Sequence, residues 1–150
     1  MLQKIANCTF YEIVVDTEQN LVILEFRGFW GGRSNVPEYV ADCKKALTYV
    51  QPGFNTLVDL TKTTAISEDA ATVHTEVQKL FKDAGLARVA EVYRQNDPIL
   101  EYQLANTKQT SGIIKRVQAF TDRTVALKWL QQPAEANVGV FNTLKKWIKR

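Results

Sequence analysis

A chain of 150 residues with 45% hydrophobic and 23% charged side chains is long enough to bury about 70% of its unfolded surface in one domain. Its net charge of +3 sits in the tail. From Glu135 onward one acid stands against four bases (Lys145, Lys146, Lys149, Arg150), while the preceding residues are balanced. A neutral body with a basic end does not match the basic stripe of a nucleic-acid binder.

The longest apolar runs are four residues, well short of a membrane span. The start, Met1-Leu2-Gln3-Lys4, lacks a signal-peptide pattern, so a cytoplasmic protein is expected. Cys8 and Cys43 show no metal or redox spacing; two reduced, mostly buried thiols are the reading.

In chain order, Cys8 to Asp16 is rich in β-branched and aromatic residues and predicts a strand. The polar turn Thr17-Glu18-Gln19-Asn20 leads into a second strand, Leu21 to Trp30, apolar on both faces at its start. The short connection implies an antiparallel hairpin. Pro37 introduces a helix from Glu38 to Val50, which Pro52-Gly53 ends. Asn55 to Leu60 predicts a short buried strand. Ser67 caps a helix from Glu68 to Ala84, with two acids in its first turn and Gly85 at its end.

Ala87 to Tyr93 predicts the next strand, and Asp97-Pro98 a helix ending near Ser111-Gly112. Ile113 to Phe120 is a last strand, and Asp122 caps a helix from Arg123 to Gln132. Val138 to Arg150 reads as a basic amphipathic helix, with Val140, Phe141, Leu144, Trp147 and Ile148 on one stripe. The expected fold is α/β: a mixed five-stranded sheet, antiparallel at its start and parallel after it, over residues 1–134, with the helical tail at 135–150.

This order resembles the SpoIIAA-like branch of the STAS superfamily. The match rests on Thr56-Leu57-Val58-Asp59-Leu60, on Arg88 to Tyr93, and on Phe120 to Leu130 with its Asp122 cap and Ala-Leu-x-Trp-Leu helix. The resemblance implies a regulatory module that engages a protein, and a regulatory serine at the helix start after the Asp-Leu strand. Here Glu68 or Asp69 falls at that place with Ser67 adjacent, so Ser67 is the candidate regulatory residue. The superfamily's likeness to SEC14-type domains implies an alternative: a carrier of a lipid or other small amphiphilic or anionic ligand, with a cavity under Phe29, Trp30 and Phe81.

Ligands of open α/β sheets bind beyond the carboxyl ends of the parallel strands. Four loops at that edge would bring Arg33, Lys62, Arg94 and Arg123 together, with Trp30 as an aromatic wall and Gly32 in a Gly-Gly-Arg turn suited to an anion. His74, the only histidine, falls on an apolar helix stripe and reads as structural. No catalytic residue, metal site or cofactor is expected. The tail is expected to dock on its own domain, on a second copy in a homodimer, in a partner's groove or on an anionic membrane; the sequence leaves these open.

Overall fold

The computed structural model describes residues 1–133, folded as one six-stranded sheet with helices on both faces. The strands are β1 (Leu2–Asn7), β2 (Tyr11–Asp16), β3 (Leu21–Trp30), β4 (Asn55–Ile66), β5 (Arg88–Val92) and β6 (Val117–Phe120). The helices are α1 (Tyr39–Leu47), α2 (Glu68–Asp83), α3 (Pro98–Ser111) and α4 (Arg123–Gln131). Spatial order follows chain order: β1 to β3 are antiparallel, and β3 to β6 are parallel. The expected helix at 138–150 and the domain limit at 134 lie outside the described residues.

Side-chain alternation decides which face each helix covers. Ile13, Val15, Val22, Leu24, Phe26, Val58 and Leu60 point to one face and join α1, α2 and α3 in the main core. Leu21, Leu57, Ala90 and Val92 point the other way and are buried under Ala126 and Leu130 of α4. Sequential right-handed crossovers put α1–α3 on a single side. α4, the last of the described helices, closes the opposite face.

Three expectations are corrected. The sheet has six strands because Leu2–Asn7 pairs with β2. With only Ile5 buried, this edge strand is held by backbone pairing and lacks an alternating signal. Secondly, β4 does not stop at Leu60. Thr61 to Ile66 reads as a polar loop, yet Lys62, Thr63, Ala65 and Ile66 pair with Arg27, Gly28, Phe29 and Trp30 across two irregularities. Since β5 ends opposite Asp59, the β3–β4 ribbon runs on by about 20 Å past its neighbour. Thirdly, Cys43 is buried but Cys8 is exposed, since it lies in the β1–β2 turn and not inside a strand.

Candidate functional site

The carboxyl ends of β5 and β6, with the middle of β4 beside them, assemble a site around Asp59. Its carboxylate accepts from the Thr61 hydroxyl (2.6 Å) and backbone N–H (3.0 Å) and from Arg123 Nη1 (2.8 Å). Burial alone would raise the pKa of this carboxyl, but the two Thr61 bonds and the hydrogen bond and charge of Arg123 outweigh it and hold the pKa below the usual carboxylate range. Arg94 reaches the Thr61 carbonyl at 3.3 Å and pairs with Asp97 at 2.6 Å. Lys62, one residue on, pairs with Glu25 at 2.8 Å. Arg94, Lys62 and Arg123 therefore do gather at one border of the sheet.

Arg33 does not join them. It follows β3, at the far end of the long ribbon, and its guanidinium pairs with Glu76 of α2 at 2.8 Å. The Gly31-Gly32-Arg33 turn does hold an anion, but the anion belongs to the chain. The Arg33 N–H donates to Asp69 Oδ2 at 2.7 Å, and a Cβ on Gly32 would stand 3.1 Å from the same oxygen.

The expectation of a rim of available cations is thus corrected: each of the four has a carboxylate partner within 3 Å. The aromatic wall is corrected as well. Trp30 is fully buried, stacked on Phe26, edge-on to Tyr39, and donates its indole N–H to the Phe10 carbonyl at 3.0 Å. An indole seated over paired strands, with its donor satisfied, has no reason to face solvent.

This packing bears on the amphiphile-carrier alternative, which needs a chamber of about 300–1,000 Å³. Beneath α2, the cavity bounded by Phe81, His74, Gln78 and Leu24 measures about 20 Å³, room for a water. Aromatic rings fill the space below Trp30, so the described core has no chamber there for an acyl chain.

The concavity at this border is instead a groove of about 630 Å³ between the starts of α3 and α4. Tyr93, just after β5, and Phe120, the last residue of β6, form its floor. Pro98 and Glu101 line one wall, Asp122 and Val125 the other. Of its lining, Val125 is 52% exposed, and α3 carries two further exposed apolar side chains outside the lining, Ile99 at 62% and Tyr102 at 84%. Leu100, Leu104 and Thr107 are the residues α3 buries, so Ile99 and Tyr102 lie off the packed stripe. The spacing Ile99-x-x-Tyr102, outside the Leu100–Leu104 stripe, was the available sequence signal for this surface.

Under the groove lies a buried ionic cluster that sequence reading passed over. Glu91 of β5 is 1% exposed and accepts from Lys108 of α3 at 2.8 Å and from the Tyr93 hydroxyl at 2.8 Å. Nearby, His74 lies within 3.0 Å of the Tyr39 hydroxyl through Nδ1. Burial keeps the Tyr39 phenol protonated and the imidazole neutral, and the tautomer of His74 sets which of the two donates. His74 serves the core, as its place on an apolar stripe implies. Ser67 caps α2, its hydroxyl accepting from the Ala70 N–H at 3.1 Å; removing that cap costs about 1 kcal/mol. Among the described residues no three metal-capable side chains converge, and no helix is long and apolar enough to cross a membrane.

No family model and no curated protein matches the chain. Solved structures do. An uncharacterized DUF3478-family protein with a SpoIIAA-like fold from Shewanella loihica PV-4 aligns with a TM-score of 0.58 at 18% identity, over 83% of this chain and 97% of that one. The anti-sigma factor antagonist SpoIIAA in its unphosphorylated form aligns at 0.44 and 12% identity, over 83% of this chain and 92% of that one. The domain has the SpoIIAA-like fold that its element order implied.

Proposed function

We propose that this domain is a non-catalytic binding module that takes a protein segment into the groove at the ends of β5 and β6. The observation that carries the reading is the groove itself. Tyr93 and Phe120 form its floor and the half-exposed Val125 part of a wall, exposed Ile99 and Tyr102 stand on α3 outside the lining, and Arg94, the cation in the lining, is already paired with Asp97. Glu101 and Asp122 complete the walls. The segment that fits brings an apolar anchor and a basic residue. Aromatic anchors in such pockets dominate interface energetics, while the surrounding charges set register and partner choice.

The surface agrees with the regulatory role implied by the sequence resemblance, but engages through α3 and α4 and not through free cations. Ser67 lies along the edge of a separate groove between α2 and α3; a role for it in switching partners is part of this proposal.

A photo-crosslinking side chain placed at Tyr102, and separately at exposed Lys44 on α1 as a control, tests the reading in the native cell. The expected result is a discrete adduct at Tyr102 alone that disappears in Glu101→Arg while the melting curve stays unchanged. Equal adducts at both positions, or an adduct that survives Glu101→Arg, would overturn it.

A further inference from the structure

Among the described residues the sheet has two open edges, β1 and β6. β1 contains Lys4 and a register break at Ile5, two devices that discourage a further strand from pairing. β6, Val117–Phe120, keeps an unbroken register with β5 and contains no charge, proline or bulge. Its guard is its length of four residues. Gln118 and Ala119 are both exposed, and no described strand lies beyond them.

Backbone direction decides which groups this edge presents. The Phe120 carbonyl accepts from the Tyr93 N–H at 2.9 Å. The backbone groups of Phe120 and, two residues back, of Gln118 therefore point toward β5, and those of Val117 and Ala119 point away from the sheet. The Val117 N–H donates to the Ile114 carbonyl. The Val117 carbonyl and both backbone groups of Ala119 have no partner among the described residues. Ala119 also lines the groove between α3 and α4, followed there by Phe120 and Thr121. A segment paired with Val117 and Ala119 thus runs from the sheet edge into that groove, flanked by exposed Ile114 before β6 and Val125 after it. Glu101, exposed on the groove wall, matches a basic residue in such a segment.

We infer that the protein segment received by the groove binds in extended form, adding a seventh strand along β6 of the six-stranded sheet. The inference rests on the binding reading above and specifies its geometry. Backbone bonds to Ala119 fix the direction and register of the segment. These few bonds replace bonds to water and contribute little net, so an apolar anchor over Tyr93 and Phe120 supplies most of the affinity.

The test uses the full chain in the native cell with the photo-crosslinking side chain at Tyr102. Ala119→Pro removes an N–H that the sheet does not use, at an edge position where proline is accommodated; Ala119→Ser keeps the N–H and serves as control. The expected result is an adduct yield lower by about tenfold in Ala119→Pro and unchanged in Ala119→Ser, with melting curves that match the parent. A crosslinker at Gln118 is expected to capture a partner of the same mass, and one at Lys4 on the other edge none; this measurement does not depend on the proline variant. Equal yields in the two Ala119 variants, with Glu101→Arg still abolishing the adduct, overturn strand addition and leave the groove reading standing. Failure of the Gln118 crosslinker to capture the Tyr102 partner does the same. Absence of any adduct at Tyr102 in the parent overturns both. An adduct of two copies of this chain, or a link within one chain, overturns the assignment of the edge to a partner protein.

Discussion

Replacing Lys108 with Met should destabilise the domain far more than its distance from the groove floor suggests. Lys108 is 12% exposed and its partner Glu91 1%, at 2.8 Å. At an effective dielectric constant near 20, a contact of that length is worth about 6 kcal/mol of attraction before desolvation is charged against it. Met keeps the stem of the lysine and removes the ammonium, leaving a carboxylate in the core with one neutral donor, Tyr93. Breaking one side of such a pair costs about 3–5 kcal/mol. For a chain of this size, with an unfolding entropy near 0.3 kcal/mol per kelvin, Tm falls by about 10–15 °C. Calorimetry at neutral pH measures this. The double variant Glu91→Gln with Lys108→Met should recover most of the loss, because an amide still accepts from Tyr93 and no charge remains buried. A fall of only a few degrees in the single variant, or a double variant no better than the single, would refute the argument.

Two other outcomes follow from the core and the turns. Burial, with a lesser contribution from Lys108, lowers the His74 pKa to about 4 from its usual 6.5. The unfolded chain therefore takes up a proton that the folded one refuses, and stability declines as pH falls from 6.5 toward 4, by up to about 3 kcal/mol. His74→Asn, which keeps an acceptor for Tyr39, should flatten the urea midpoint across that window; equal slopes in both proteins would sink the reading. The carboxyls held low by their partners, Asp59 and Glu76 among them, begin to lose their contribution as pH falls through their ordinary values of 3.8 and 4.5, at the acid end of this window and equally in both proteins. Gly85 has φ of 102° and a Cβ there would lie 2.8 Å from Pro52, whereas Gly53, at φ 92°, has open space. Gly85→Ala should cost about 1–2 kcal/mol more than Gly53→Ala, and equal urea midpoints would show that the turn yields.

Local chemistry made much of the fold legible. Ser67 and Asp122 are the N-caps their sequence contexts indicate, and Gly112 ends α3 in the left-handed region. The apolar stripe of α2 packs as its spacing requires. These features depend on neighbours within one or two turns of chain, so the sequence contains both partners. Leu2–Asn7 and Thr61–Ile66 are different. Neither has the alternation of a strand, and each becomes one because an adjacent strand supplies its backbone hydrogen bonds.

The candidate site divides along the same line. That Lys62, Arg94 and Arg123 would meet at one border followed from topology alone, since right-handed crossovers deliver parallel strand ends to a common edge. Whether the charges of Lys62 and Arg123 were available did not, because Glu25 and Asp59 reach them across strands whose register no single segment encodes, whereas the Arg94–Asp97 pair, three residues apart, is local. Arg33 was lost to the site through the length of the β3–β4 ribbon, itself a property of pairing. The sequence alone determined which residues cap, turn and face inward, because those preferences act over a few bonds. Only the tertiary structure decided which charges neutralise one another and where apolar side chains remain uncovered, because both depend on groups that are distant in the chain and adjacent in space.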